Sequence, residues 1–104
     1  MYNIALICEH GASTGICVKK MREAAKNEGI ECNIDAYSAL KIDSIVNTMD
    51  CMLIGPQLSY KLDKFKQTYP EHAAKMIVIN SMDFGMMNGS KILKDAIHLI
   101  ENTK

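Results

Sequence analysis

The chain has 104 residues, of which 48% are hydrophobic and 23% charged, and its 12 basic residues balance 12 acidic ones. This composition is typical of a globular domain, so we expect residues 1–104 to form a single domain. The zero net charge and the lack of a basic stripe argue against a nucleic-acid binder. No apolar run reaches the roughly 20 residues of a membrane-spanning helix and no signal-peptide layout is present, so we expect a cytoplasmic protein.

In the first half of the chain, strand patterns alternate with helix patterns. Asn3–Cys8 is an apolar run, typical of a central strand covered on both faces. Ser13–Asn27 has a helical pattern, and Gly29 supplies its C-terminal stop. Ile30–Tyr37 alternates apolar and polar residues, which predicts an edge or half-covered strand. Ser38–Met49 is predicted to contain a short helix.

The second half of the chain continues the alternation. Cys51–Ile54 is a short apolar run that predicts a buried strand, ended by a Gly-Pro pair. Leu58–Tyr69 has apolar residues at helical spacing, and a proline follows it. Met76–Ile79 predicts a fourth strand, and about Ser90–Asn102 the pattern predicts a last amphipathic helix.

Strands that alternate with helices predict β-α-β units, and therefore an α/β fold with a four-stranded parallel sheet. Ligands of such sheets bind beyond the carboxyl ends of the strands, so the segments after Cys8, Ile54 and Ile79 are the candidates for a site. In the first predicted helix Ile16, Met21 and Ala24 are expected to lie near one face. The apolar positions of the second are Leu40, Ile42, Ile45 and Val46.

The segment after the first strand carries the chemistry. Cys8 is followed by Glu9, His10, Gly11, Ala12, Ser13 and Thr14. Small residues let the backbone curl so that successive N–H groups face one anion, and the start of a helix adds unpaired N–H groups and its positive dipole end. The same amides favour the thiolate form of a cysteine. The pattern predicts a nucleophile in an anion cradle, suited to carrying a phosphoryl group on sulfur.

Several features of the sequence leave alternatives open. A cysteine that is only packed at a strand end would give the same pattern as Cys8. Cys17, Cys32 and Cys51 are predicted to be structural, because the four cysteines contain no C-x-x-C pair and suit neither a zinc ribbon nor a disulfide framework. The Met86-Met87 pair suits either a packed lid or an adaptable contact surface.

Three motifs together resemble a known family. They are Cys8-x-x-Gly11-x-Ser13-Thr14 after the first strand, "GPQ" with the following Tyr60 after the third, and "DFGMMNG" before the last helix. Over its full length the chain resembles the IIB component of the lactose/cellobiose (chitobiose) family of the bacterial phosphoenolpyruvate-dependent sugar phosphotransferase system.

The resemblance implies a flavodoxin-like sheet in the order 2-1-3-4 with helices on both faces. It implies that Cys8 takes phosphate from a phosphohistidine of a IIA protein and gives it to a sugar, expected to be a β-linked disaccharide, bound by a IIC membrane transporter. The backbone from Glu9 to Thr14 and the hydroxyls of Ser13 and Thr14 would hold the phosphate, with Gln57 and Tyr60 alongside. No metal, cofactor or nucleic acid is expected, and we expect a monomer.

Three residues depart from the family pattern. Glu9 and His10 stand where small or neutral residues are common, and Gly15 stands where a serine is often found. We expect Glu9 to face solvent, since an inward carboxylate would repel a bound phosphate. The roles of Glu9 and His10 in the loop stay open.

Three other functions compete with the carrier role. Cysteine-dependent phosphatases and arsenate reductases place an arginine six residues after the cysteine, but here Thr14 stands there and the only arginine is Arg22. A non-catalytic module that binds an anion or a partner would carry the same loop. Metal binding is a third alternative, for which Cys8 and His10 would be two ligands without a second pair.

Overall fold

The computed structural model describes residues 1–9 and 11–103, with side chains for 1–9 and 14–103. In chain order its strands and α-helices are β1 (Tyr2–Cys8), α1 (Gly11–Glu28), β2 (Cys32–Ser38), α2 (Ile42–Ile45), β3 (Cys51–Ile54), α3 (Leu62–Thr68), β4 (Met76–Val78), α4 (Ser81–Gly85) and α5 (Gly89–Thr103). Three 3₁₀ turns span Ala39–Lys41, Pro56–Lys61 and Pro70–Lys75. None of the helices in this part of the chain has both the length and the apolar character needed to cross a membrane.

The four strands form one parallel sheet in the order β2-β1-β3-β4. In the central strand β1, Ile4 lies opposite Ile34 of β2 and Cys51 of β3, and Cys8 lies opposite Ser38. The predicted number, direction and order of the strands are therefore confirmed.

Alternate residues of the strands feed two separate cores. On one face of the sheet, Ile4 and Leu6 of β1 pack with Met21 of α1 and Leu93 of α5. On the other face, the neighbouring strand residues pack with α2, α3 and the turn before α3; they include Ala5, Ile7, Met52 and Ile54. Each fully buried aliphatic side chain contributes about 1.5–3 kcal/mol relative to an exposed one. The predicted helices on both faces are thus confirmed.

Helix α1 ends at a glycine, as predicted. Gly29 has a φ of 68°, which a residue without Cβ adopts at little cost. Its N–H donates to the Lys26 carbonyl at 3.2 Å, and the Ile30 N–H donates to the Ala25 carbonyl at 2.9 Å. Because Ile30 completes this cap, β2 begins at Cys32 and not at the predicted Ile30.

The inward face of α1 differs from the predicted one. Ile16 is 52% exposed, whereas Cys17, Val18 and Met21 are buried against the sheet. Neighbouring helical residues are turned by about 100° from each other, so burying Cys17 directs Ile16 outward. The prediction that Ile16 shares a face with Met21 was wrong, because the small Cys17 takes the inward position beside it.

The second and third predicted helices each begin with a 3₁₀ turn. Ser38 Oγ accepts from the Leu40 N–H at 3.2 Å and starts the turn Ala39–Lys41. Leu40, one of the apolar positions of the second predicted helix, is 91% exposed, whereas Ile42 is buried. Pro56–Lys61 forms the other turn, because its proline fits the first helical position and has no N–H to leave unpaired.

Helices α1 and α5 approach each other most closely at Gly89. A Cβ built on Gly89 would lie 2.5 Å from the carbonyl carbon and 2.7 Å from the carbonyl oxygen of Lys20. These atoms belong to the backbone of α1, so they cannot move aside as a flexible side chain would. The missing side chain of Gly89 therefore sets the distance between two helices that cover one face of the sheet.

We predict that Gly89→Ala lowers the free energy of unfolding by about 1–3 kcal/mol, the usual cost of overpacking. Gly15→Ala is the matched control, because a Cβ at Gly15 of α1 would meet no atom within 4 Å. It should be neutral or should stabilise by up to about 1 kcal/mol through helix propensity. Urea unfolding followed by circular dichroism measures both, and equal stability of the two variants would contradict the close helix contact.

Candidate active site

The segments that follow three strands meet at the carboxyl edge of the sheet. The Gly55 N–H donates to the Ile7 carbonyl at 2.8 Å, and the Ile79 N–H donates to the Ile54 carbonyl at 2.8 Å. These bonds continue the parallel pairing beyond the strand ends. The three segments that the sequence marked as candidates are therefore brought to one edge.

Cys8 is the last residue of β1 and is only 6% exposed. Ser38 lies opposite it on β2. On the other side Ile7 pairs with Ile54, so Gly55 follows at the level of Cys8. A Cβ on Gly55 would stand 4.0 Å from the Cβ of Cys8. The thiol-bearing residue is thus held between a serine and a glycine, with close backbone approach on the glycine side.

Helix α1 begins at Gly11, two residues earlier than the sequence predicted. Residues 11–14 are therefore its first turn and not a separate extended loop. The first four N–H groups of a helix have no partner within it, and they carry the positive end of the helix dipole. No acidic residue lies in this first turn. The helix start supplies amides without a partner inside the helix, which the sequence assigned to a loop.

The structure describes some of the predicted phosphate-binding residues with their side chains and others without. Glu9 is exposed, so the expectation that it faces solvent is confirmed. His10 lies outside the described residues. Gly11–Ser13 are described as helical backbone only, so the hydroxyl role of Ser13 stays a prediction. Thr14 is 2% exposed, the one buried polar residue in the part of the chain whose side chains are described.

The other three cysteines have the character of packed thiols. All four cysteines are free. Burial raises the pKa of Cys17 to about 11 and that of Cys51 to about 12. A thiol of pKa about 11 is ionised in about one molecule per ten thousand at pH 7. Burial also raises the pKa of Cys32, against a smaller lowering by Arg22. The structural assignment of these cysteines is consistent with their burial.

The third strand is followed by a turn that brings Gln57 towards Cys8. Leu58, which is fully buried, anchors this turn in the core. Its N–H donates to the Gly55 carbonyl at 2.8 Å. Gln57 Oε1 lies 3.1 Å from the position of a Cβ on Gly55, the same position that is 4.0 Å from Cys8 Cβ. The sequence indicated Gln57 through its "GPQ" motif. Only the strand register shows that the missing side chain of Gly55 leaves room for Gln57 beside Cys8.

Tyr60 lies further along the same turn and is 71% exposed. The ammonium of Lys61 stands 5.7 Å from the centre of its ring, within the range of a cation–π contact worth about 0.5–1 kcal/mol at an exposed site. The Tyr60 side chain is thus exposed to solvent at the carboxyl edge of the sheet.

The segment after the fourth strand contains a short helix that the sequence pattern did not predict. Asn80 Oδ1 accepts from the N–H groups of Met82 and Asp83 at 2.9 and 3.0 Å and so caps α4. An Asn followed by a polar first turn is a recognisable capping signal, but five residues are too few for a helical period. Met86 is 70% exposed. Met87 has a φ of 52° and packs against the core, so only one of the two methionines is packed, and a contact role for Met86 stays a prediction.

Within residues 1–9 and 11–103, no three His, Cys, Asp or Glu side chains come together in a way that could hold a metal ion. His10, which the metal alternative needs, is outside this part of the chain. The described residues therefore offer no support for a metal centre.

The central strand of this flavodoxin-like sheet ends at a cysteine, and a helix starts three residues later. The site is therefore a thiol close to a helix start, the kind of helix end that binds anions. Comparison with known families assigns the chain to one of them. The sequence profile of the family described as "PTS system, Lactose/Cellobiose specific IIB subunit" matches residues 3–95. The chain belongs to this family of phosphotransferase-system components, and the resemblance seen in its three motifs is confirmed.

Individual relatives agree with the family. The chain is 33% identical to the oligo-beta-mannoside-specific EIIB component of Bacillus subtilis, over 98% of this chain and 99% of that protein. It is 34% identical to the cellobiose-specific EIIB component of Lactococcus lactis, over 93% and 94%. The solution structure of a cellobiose-specific IIB component from Borrelia burgdorferi superposes with a TM-score of 0.83 at 30% identity, covering 97% of this chain and 93% of that one.

The fold is also shared with an enzyme of the competing class. An arginine phosphatase superposes with a TM-score of 0.57 at 10% identity, covering 96% of this chain and 91% of that one. At this identity the likeness concerns the fold alone, so it does not transfer hydrolytic chemistry to this chain.

We predict that the buried thiols react slowly with iodoacetamide at pH 8. Because burial raises their pKa values, Cys17 and Cys51 should be alkylated at least about a hundredfold more slowly in the folded protein than in urea. Cys32, which is half-buried, is the internal control and should react at an intermediate rate. Peptide mass spectrometry gives the rate for each cysteine, and alkylation of Cys17 at its unfolded rate would contradict the packing described.

Proposed function

We propose that the protein is a phosphoryl carrier of a sugar-uptake system, and that residues 1–104 act as one IIB domain. It would accept a phosphoryl group from a phosphohistidine of a IIA protein onto Cys8 and transfer it to a sugar bound by a IIC membrane transporter. The position of Cys8 carries the proposal, because it ends the central strand three residues before the start of an 18-residue helix in a chain of the IIB family.

In the first step the Cys8 thiolate attacks the phosphorus atom of the phosphohistidine. An S–P bond forms as the P–N bond breaks, and the electron pair of that bond leaves with the imidazole. The catalyst of such a transfer mainly has to position the groups and stabilise charge on the phosphoryl oxygens. We assign this role to the amides of residues 11–14, which lack partners inside the helix, and a helix dipole contributes up to about 2 kcal/mol to an anion in favourable geometry.

In the second step an oxygen of a sugar hydroxyl attacks the same phosphorus atom. The S–P bond breaks, the thiolate of Cys8 leaves with the electron pair, and the hydroxyl proton passes to a base or to water. We assign the Glu9–Thr14 backbone, with the hydroxyls of Ser13 and Thr14, to holding the phosphoryl oxygens in both steps. Gln57 and Tyr60 flank the group in this proposal.

Arg22 separates this proposal from the phosphatase alternative. Its Nε donates to the Ile34 carbonyl at 3.0 Å, and its Nη2 donates to the same carbonyl and to Asp35 Oδ1, each at 2.6 Å. The only arginine of the chain is therefore engaged on the edge strand β2. Arg22 is therefore not available to stabilise attack by water on a phosphocysteine.

The partners and location follow from the carrier role. We propose a cytoplasmic monomer that meets a IIA protein and then the membrane-bound IIC transporter, without a metal or cofactor. The EIIB relatives at 33% and 34% identity are named for different sugars, oligo-beta-mannoside and cellobiose. This agrees with a carrier whose sugar is bound by another component, and we propose a β-linked disaccharide as that sugar.

We predict that Cys8→Ser abolishes transfer of phosphate from phosphoenolpyruvate to sugar while the protein stays folded, because an alkoxide is a much poorer leaving group than a thiolate. The assay combines the two general phosphotransferase proteins, a IIA protein and membranes that contain a IIC transporter, and it measures sugar phosphate. Cys32→Ser is the matched control, because that thiol is only half-buried and is distant in sequence from the site; it should retain transfer.

Each other result identifies a competing function. Full transfer by Cys8→Ser would overturn the assignment of the nucleophile. A wild-type protein that takes up no phosphoryl group from a phosphorylated IIA would favour the binding-module alternative. Rapid release of inorganic phosphate by the wild type would favour the phosphatase.

A further inference from the structure

We propose that Gln57 is a phosphoryl-binding residue, whose carboxamide Nε2 donates a hydrogen bond to an oxygen of the phosphoryl group on Cys8, and that Gly55 provides the space for this approach. The inference rests on the proposed function, because it needs Cys8 as the phosphoryl acceptor. It adds a donor from the turn after β3 to those at the start of α1.

Both side chains border the same point beside Gly55. Gln57 Oε1 and Cys8 Cβ lie 3.1 and 4.0 Å from the point that a Cβ on Gly55 would occupy. A phosphoryl oxygen would lie three bonds beyond Cys8 Cβ, through Sγ and phosphorus. The carboxamide nitrogen is bonded to the same carbon as Oε1. A phosphoryl group on Cys8 therefore extends within reach of a donor that the turn already holds in place.

The backbone on both sides of Gln57 is fixed, which limits where its carboxamide can reach. The Gly55 N–H donates to the Ile7 carbonyl at 2.8 Å, so the start of the turn is tied to the residue before Cys8. Leu58, the residue after Gln57, is fully buried and anchors the turn in the core. Gln57 itself is exposed, so a change of its side chain leaves the core intact. A positioned polar group that contributes no core packing is typical of a binding residue.

The chemistry of a carboxamide suits a carrier. It is uncharged and donates through two N–H groups, and a hydrogen bond to a charged acceptor is stronger than one between neutral groups. It can stabilise the phosphocysteine without the full positive charge and forked donors by which a guanidinium stabilises the transition state of hydrolysis. Gln57 forms and breaks no covalent bond in either transfer step.

The first test observes the proposed hydrogen bond directly by nuclear magnetic resonance. The chain contains two glutamines, Gln57 and Gln67, and both are exposed. ¹⁵N-labelled protein is phosphorylated by phosphoenolpyruvate, the two general phosphotransferase proteins and a catalytic amount of IIA. The Nε2 protons of Gln57 should move to lower field and exchange more slowly with solvent, while those of Gln67 stay unchanged. Unchanged Gln57 resonances in a protein phosphorylated on Cys8 would overturn the inference.

The second test measures the equilibrium constant for phosphoryl transfer between IIA and Cys8. Gln57→Met keeps the shape of the side chain but removes the donor, and it should lower this constant about ten- to a hundredfold, the value of one hydrogen bond to a charged group. Gln57→Glu places a carboxylate beside the phosphoryl group and should lower it further. Gln67→Glu carries the same charge change on α3 and should match the wild type.

Gly55→Ala tests whether Gly55 provides the space in which Gln57 approaches Cys8. A Cβ there would stand 3.1 Å from Gln57 Oε1 and 3.3 Å from the Ile7 carbonyl oxygen, so it displaces the carboxamide or the turn. In the Gln57→Met background this substitution should weaken transfer much less than in the wild type, because the hydrogen bond is already absent. Equal effects in both backgrounds would contradict the role given to Gly55.

The outcomes separate this inference from the proposed function. If the wild type is phosphorylated on Cys8 but Gln57→Met has the same equilibrium constant within twofold, the inference on Gln57 is overturned and the carrier role stands. If the wild type accepts no phosphoryl group on Cys8, the proposed function is overturned and the inference with it.

Discussion

The central strand β1 is the constraint on which the structure depends. It pairs with β2 on one side and β3 on the other, and Ile4–Cys8 are buried. A strand enclosed in this way has no access to solvent or ligand along its length, so its carboxyl end is the first place where chemistry is possible. Parallel pairing brings the segments after β3 and β4 to that same end. The positions of the start of α1, of Gly55 and of Gln57 follow from where β1 ends.

Much of this arrangement could be predicted from the sequence. Cys51–Ile54 was predicted with both of its ends, because a fully apolar run between an aspartate and a Gly-Pro pair has few other interpretations. The stop at Gly29 followed from glycine's tolerance of positive φ. The order of the strands came from the family resemblance, because no local pattern in a single sequence specifies which strands are neighbours.

Other features depend on contacts that a linear pattern does not contain. Ile16 and Leu40 are apolar yet exposed, since the burial of Cys17 and the cap by Ser38 decide their directions. Helix α4 is too short to show a period, and α1 starts at Gly11 although glycine is a weak helix former. The approach of Gln57 to Cys8 depends on the register between Ile7 and Ile54, which brings Gly55 beside the cysteine. Local propensity cannot specify such long-range contacts.

The central claim is that Cys8 carries the phosphoryl group, and the most direct measurement is its location by mass spectrometry. The intact protein is incubated with phosphoenolpyruvate, the two general phosphotransferase proteins and a IIA protein, and is then digested at a pH that preserves thiophosphate. We predict one added phosphoryl group, on the peptide that contains Cys8. A phosphoryl group on a histidine or on another cysteine, or none with a competent IIA, would contradict the account.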